Sequence, residues 1–558
     1  MSVDNRTIIN DCEATTGWTG DDAVTAQTGT GAFYEGSTSL SWQASNADEQ
    51  MHTTQDSVGA GTFSVDWSDS TLYLLVKDNL GNTAANGGVQ FVIGDGTDLI
   101  GYDVGGNDAA GVLLPTYFQS YKLDVSVVVT TPGAFTNFAG TEANLDQTAC
   151  TQIGYGSLHL AKAAGPSDNV FMDCFRYIAN DSYALTINGG TAGTPETMAD
   201  VQGDDVTNGW GMVGNPIGSQ YLFFAPTEWG NASTIAEHAF AASNEQWYWL
   251  GDNGGGHAVG AGHFIFRVTA NATDAGSFIA TNVVIVNTGT GANFDCSNAD
   301  IDVLEIDGCT MVGLATFVGP VAGGTSRFVT DTKFLQCGTV THSGASMNGS
   351  SISDSAVSAD TGALYYNTNS DPNGEMDNML FVAHATVLHH ALEFGTTAPL
   401  TMTLTGWTTE DFSASDAVNN STFLFPDRGS DVTWTVNIVD GTGNFSYKKL
   451  RATDTVVISV SVGVQIKVQD QATDPIENVR ISMYLTSDDS EILNADSNAS
   501  GITAGSFSGT TPASIYWRAR KGSAADSPKY IARSGVGTVT SGGFDLLVTM
   551  QENPNNNA

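Results

Sequence analysis

Basic residues are scarce in this chain: 19 Lys and Arg stand against 60 Asp and Glu, a net charge of −41 over 558 residues. A surface of that sign repels phosphate backbones and argues against nucleic-acid binding. The deficit is uneven. Residues 459–558 hold ten acidic and seven basic residues, net −3, so −38 lies in the first 458. That excess of carboxylates suits either a surface solvated in salty water or a set of divalent-cation sites. Long apolar runs are missing too, since no window approaches the ~18 apolar residues of a membrane-spanning helix. The opening MSVDNRTIIND has neither the basic nor the apolar segment of a secretory signal. Six cysteines (Cys12, Cys150, Cys174, Cys296, Cys309, Cys337) are too sparse for a disulfide framework, and none forms a CxxC pair. They read as small buried apolar residues.

What the chain has in quantity is glycine, 63 positions, with much Thr, Ser, Asn and Ala, and 41% hydrophobic residues. Gly and Asn supply turns with positive φ, while Thr and Val suit a pleated strand. No stretch reads as a long amphipathic helix. The expected class is all-β, and the length exceeds what one core sustains, so several domains are expected.

Residues 1–180 alternate as strands at Phe63–Asp66, Leu72–Lys77, Val89–Ile93, Tyr121–Val129, Ile153–Leu160 and Val170–Ile178, separated by turns such as DNLGN and IGDGTD. INDCEATTGW opens the segment and DNVFMDCFRYI closes it, an arrangement in which first and last strands pair. On DCEA…GW, YEGSTSLSW and DNVFMDCFRY, this segment resembles the galactose-binding-like jelly rolls of carbohydrate-binding modules and viral surface proteins. The resemblance implies a structural Ca²⁺ between first and last strands, for which Asp11, Glu13 and Asp173 are the matching positions; the alternative is that these acids cap turns or face solvent.

From 181 to 458 the pattern changes. Asn282, Asp307, Asp331, Asn348, Asp377 and Thr405 each lead an apolar run, at intervals of 25, 24, 17, 29 and 28. A drifting period of this size marks a solenoid, with Gly or Asn at corners where the chain bends through the left-handed region. The stretch resembles the parallel β-helix of phage tailspikes and polysaccharide lyases; a second sandwich is the competing reading. WTVNIVDGTGNFSYKKL is expected to close it as a hairpin. Residues 459–558 carry GVQIKVQDQATDPIENVRISMYL, SIYWRARK and FDLLVTM, and resemble immunoglobulin-like or transthyretin-like modules of the carboxypeptidase-regulatory type, which serve as adhesive or spacer domains.

Catalytic motifs are not found: there is no G-x-S-x-G, P-loop or HExxH. Asp252, His257 and His263 sit in a Gly-rich loop, as metal ligands or as polar decoration. His389 and His390 are adjacent and face opposite sides of a strand. Glu305 and Asp307, two apart, share a face, which serves a carboxylate pair or plain solvation equally. Trp210, Trp229, Trp247 and Trp249 form either a sugar-stacking surface or a cap that buries the rings over the end of the solenoid.

The order jelly roll, β-helix, Ig-like module most resembles a virion appendage of a tailed phage or related virus. That resemblance implies a non-enzymatic homotrimer made in the host cytoplasm and displayed on the particle. Its partners would be other virion proteins and a host cell-surface glycan. The alternative is a carbohydrate-active enzyme, a polysaccharide depolymerase or lyase, with an N-terminal binding module.

Overall fold

The structure, a computed structural model, describes residues 3–21, 25–27, 39–42, 49–56, 61–78, 89–103, 119–124, 135–157, 170–179, 182–187, 196–208, 212–223, 225–230, 237–240, 245–249, 264–268, 276–287, 292–509, 512–523, 527–540 and 543–554. Their regular elements are β-strands almost throughout, so the chain is all-β. It divides into two units, Met1–Ala345 and Ser346–Ala558.

The first unit opens with two six-stranded antiparallel sheets. One contributes Ile9, Leu40, Leu72, Leu74 and Phe175 to a shared core, the other Met51, Phe91, Ile93, Ile100, Tyr102, Ile153 and Tyr155. Alternation along each strand produces this, because every second side chain faces the opposite sheet. The opening strand Thr7–Asn10 pairs antiparallel with the closing strand Val170–Ala179, through Phe175 with Asn10 and Tyr177 with Thr7.

From Leu185 the pairing becomes predominantly parallel, Val213–Ile217 still pairing antiparallel with Gln220–Phe223. The chain visits three sheets in rotation, so every third strand returns to the same sheet one turn further on. Gln220–Phe223, Gln246–Trp249, Val284–Asn287, Thr310–Val312 and Lys333–Leu335 form one face. Its register stacks Tyr221, Trp247, Ile285, Met311 and Phe334 in a single inward column. A second face aligns Phe294, Phe317 and Val340. All eight side chains are buried.

One corner of this coil is made by a single residue at positive φ: Asn282 (57°), Gly308 (62°) and Asp331 (50°). The second unit repeats the device with Gly349 (71°), Asn378 (59°), Gly406 (70°) and Asp440 (55°). Each turn's corner amide donates to the carbonyl one turn on: Asn282 to Asp307 (2.9 Å) and Gly308 to Thr330 (3.0 Å) in the first unit. In the second, Asn378 donates to Thr405 (2.8 Å), Gly406 to Val439 (2.8 Å) and Asp440 to Ser461 (2.7 Å). These corners lie at, or one residue after, the positions the spacing marks in the sequence.

Within the second unit the same parallel rotation runs through Gly362–Tyr366, His390–Phe394, Phe423–Phe425 and Tyr447–Lys449 on one face. Another face holds Thr401–Thr405, Thr433–Val439 and Thr455–Gln469. The hairpin expected at 434–450 is not formed. Thr433–Val439 and Tyr447–Lys449 lie in different sheets, because left-handed Asp440 turns the chain into the next face instead of reversing it. The 15-residue strand Thr455–Gln469 then serves two neighbourhoods: Thr455–Ser461 pairs back onto Thr433–Val439, and Val462–Gln469 pairs with Ile502–Phe507 and Phe544–Thr549. Facing it, Arg480–Leu485, Glu491–Asp496, Ala513–Lys521 and Tyr530–Val539 form a four-stranded antiparallel sheet. Their inward residues, among them Val464, Ile466, Ile481, Met483, Ile515 and Trp517, make a separate core.

An α-helix, Met198–Asn208, was not expected from composition. Its signal is local: Thr197 and Asp200 form a reciprocal cap, with Thr197 Oγ1 donating to Asp200 Oδ2 (2.7 Å) and the Asp200 amide donating to Thr197 Oγ1 (3.4 Å). Met198, Val201 and Asp205 form its buried stripe. Asp205 Oδ1 accepts the amides of Met212 (2.8 Å) and Val213 (3.2 Å), which ties the helix to the strand that follows.

The first strand of the chain joins the first parallel strand: Val3 pairs with Thr186 and Asp4 with Leu185. Asp4 also meets two buried guanidiniums, Arg6 at 2.9 Å and Arg176 at 2.6 Å. Burial works against its charge, but Arg6 and Arg176 outweigh that and hold the carboxyl below the ordinary aspartate range.

Two outcomes test this architecture. Gly406→Ala places a Cβ 2.2 Å from Asn378 Oδ1 at a φ of 70°, so thermal unfolding should show a loss of about 2 kcal/mol. Asp4→Asn removes the carboxylate shared by Arg6 and Arg176 and should cost about 3–5 kcal/mol, the range for breaking a buried pair. Chemical denaturation followed by Trp fluorescence reads the second; an unchanged midpoint would show the cluster to be dispensable.

Candidate functional site

Of the four Trp residues expected to form a sugar-stacking surface or a cap, the three that are described are interior. Trp229, Trp247 and Trp249 are all wholly buried; Trp210 lies outside the described residues. Trp229 stacks on Trp247 with centroids 5.8 Å apart and planes at 18°. Trp249 meets Phe294 edge-on at 5.1 Å, and the series continues through Phe317 to Phe334 at 4.9 Å. Trp247 Nε1 donates to the buried Glu245 (3.3 Å), whose carboxyl burial pushes up. These rings fill the coil, so of the two readings in the sequence the packing one applies, and no sugar-facing surface is offered by them.

Asp11 and Glu13 are half-buried in the loop after Thr7–Asn10, where Asp11 Oδ1 accepts the Glu13 amide (3.2 Å). Asp173 is wholly buried within Val170–Ala179. Calcium requires six to eight oxygens at 2.3–2.6 Å. Among the described residues no group of three His, Cys, Asp or Glu side chains converges to hold an ion. The Asp252–His263 loop lies outside the described residues.

Glu305 and Asp307 do share the outward face of Val303–Asp307, and Asp307 Oδ1 accepts from Thr330 Oγ1 one turn on (2.9 Å). His389 and His390 have separate partners, as adjacency requires. His389 Nδ1 meets the His390 carbonyl at 3.0 Å. His390 Nδ1 meets the Ser421 carbonyl at 2.7 Å and its Nε2 meets Asp360 at 3.1 Å. Lys448 donates to both Asp360 oxygens at 2.6 Å and to Asn419 at 2.9 Å. Desolvation opposes charge on Asp360, but Lys448 and His390 prevail and lower its pKa. Each member of this cluster is hydrogen-bonded to another, which ties separate turns of the chain together.

The exposed site that sequence reasoning did not single out is the outer face of the four-stranded sheet. Pairing arranges it in three rows. The first sets Glu491, Tyr484, Tyr516 and Val536 side by side. The second sets Asn494, Ser482, Arg518 and Ser534 together, and the third Asp496, Arg480 and Arg520. Tyr484 and Tyr516 stack at 5.4 Å and 25°, Arg518 lies 5.7 Å from the Tyr516 centroid, and Val536 is 82% exposed. Tyr516 donates to Asp489 at 3.0 Å, which fixes its ring. Arg480 reaches Asp496 at 3.4 Å.

No family model matches the chain, and neither does any curated protein.

His342 supplies a test of burial in the coil. It is 2% exposed, and desolvation pushes its imidazole from 6.5 to about 4. The unfolded chain therefore takes up a proton below pH 6.5 that the folded chain refuses until about pH 4, so stability falls as pH drops through that window. Between neutral pH and pH near 4, the native protein should lose about 2–3 kcal/mol more than His342→Gln, each referred to its own stability at neutral pH. Thermal melts across that range measure it; parallel curves would refute the assignment.

Proposed function

We propose that this protein is a structural component of a virion surface, a fibre or spike-like appendage that presents a binding surface to a host-cell glycan. On this reading the first two sheets are a jelly-roll module, the three-sheet rotation is a parallel β-helix shaft, and the final sheets are an Ig-like module, assembled as a homotrimer with other virion proteins. The observation that carries it is the coil itself. Within each unit successive turns are joined by parallel ladders and by corner hydrogen bonds, and the interior is filled with aromatic rings. Such a stack is stiff along its axis and each turn buries its neighbour, which suits a spacer between an anchor and a contact surface. The acidic exterior, −41 overall, suits a particle exposed to salty water.

Immunogold labelling of purified particles with antibody to this chain tests the proposal. Gold on the particle exterior is the expected result, and label confined to the soluble lysate would overturn it. Release of reducing ends or unsaturated products from host capsular polysaccharide would instead favour the depolymerase alternative.

A further inference from the structure

We infer that the outer face of the C-terminal four-stranded sheet, centred on Tyr484, Tyr516, Arg480, Arg518 and Arg520, is a binding site for an anionic polysaccharide. This rests on the surface-display reading above and locates its glycan contact. The first argument is charge. In a chain with about three acids per base, three arginines gather on one face; of the carboxylates there, Asp496 meets Arg480, while Glu491 and Asp489 accept from Asn494 and Tyr516. Arg480 stands directly across from Arg520 in the pairing, and like charges in that relation destabilise a sheet. An anion held between them reverses the sign of that interaction.

The second argument is the order of the rows. Tyr484, Tyr516 and Val536 make a flat apolar strip on which the C–H faces of a pyranose ring can pack. The next row exposes Asn494, Arg518 and Ser534, donors and acceptors of the kind hydroxyl groups need, with buried Ser482 donating to Asn494 (3.2 Å) from beneath. Arg518 and Arg520 lie two residues apart on one strand, so their side chains leave the same face about 7 Å apart along the backbone. Planar forks at that spacing bind carboxylate or sulfate groups bidentately. An acidic protein surface, such as a second copy of this chain, would match the arginines but leave the aromatic strip and the hydroxyl-pairing row without purpose. The glycan uses all three.

The test uses the full chain in affinity electrophoresis and titration calorimetry against polygalacturonate (carboxylated), dextran sulfate (sulfated) and dextran (neutral), at about 50 and about 150 mM salt. Wild type should bind one or both anionic polymers and not dextran, and the preferred polymer identifies carboxylate or sulfate as the recognised group. The double variant Arg518→Gln/Arg520→Gln should weaken binding about tenfold or more, and Tyr516→Ala several-fold. Lys467→Gln, on the opposing sheet, should bind as wild type. Melting curves confirm that each variant is folded. Failure of wild type to bind either anionic polymer sinks the inference, as does wild-type affinity in the arginine variant. An unaltered Tyr516→Ala at the higher salt would mean ion exchange alone. Sedimentation showing that the arginine variant breaks an oligomer while its polysaccharide affinity is retained would assign the face to a second copy. Surface labelling with no polysaccharide binding refutes this site and leaves the appendage reading intact; the converse result does the reverse.

Discussion

The coil depends on one backbone conformation repeated turn after turn. A single left-handed residue swings the chain from one sheet to the next, and its amide is passed to the turn that follows. Because that conformation costs an ordinary L-residue about 1–2 kcal/mol, the position falls to Gly, or to Asn and Asp, whose short polar side chains tolerate it. Gly308 and Gly406 also lie against the side chains of Asn282 and Asn378, so the identities of neighbouring corners are linked. With the corner set, strand lengths of three to five residues follow, and so does the parallel register that stacks like on like.

Stacking then decides where the aromatic residues go. In the first unit Tyr221, Trp247, Ile285, Met311 and Phe334 share a column. In the second, Phe394 stacks on Phe425 at 5.0 Å and Phe381 lies 4.8 Å from Trp407. Rings of this size bury large apolar areas and hold their neighbours by offset and edge contacts. The polar chemistry is left outside, where it is spent on turn-to-turn links such as Asp307 with Thr330 and Lys448 with Asp360.

The C-terminal module handles charge differently. Its inward residues are aliphatic and aromatic, and its outward face carries arginines beside tyrosines. The two faces arise from a single alternation along Ala513–Lys521, in which Ile515, Trp517 and Ala519 point in while Ser514, Arg518 and Arg520 point out. An exposed face of arginines and tyrosines therefore comes from the same alternation that builds the core.

Much of this was legible in the residues alone. Composition determines the all-β class, since Gly, Asn, Thr and Val at these frequencies favour strands and tight turns over helices. The spacing from Asn282 to Thr405 marks the corners to within one residue, because only a few residue types accept the left-handed conformation. The reciprocal cap at Thr197 and Asp200 also stood in the sequence, overlooked because a short helix leaves little trace in composition. Tertiary structure decided the rest. Gln246-Trp247-Tyr248-Trp249 shows that its two Trp share a side, but only register with Tyr221 and Ile285 shows that this side is the interior. Thr433–Lys449 alternates as a hairpin would, and only the left-handed corner at Asp440 sends its halves to different sheets. SIYWRARK places Tyr516, Arg518 and Arg520 together, yet Arg480, Tyr484 and Val536 join them solely through pairing between strands far apart in the chain. Alternation is a local property; which face is covered, and by what, is set by contacts that no local pattern encodes.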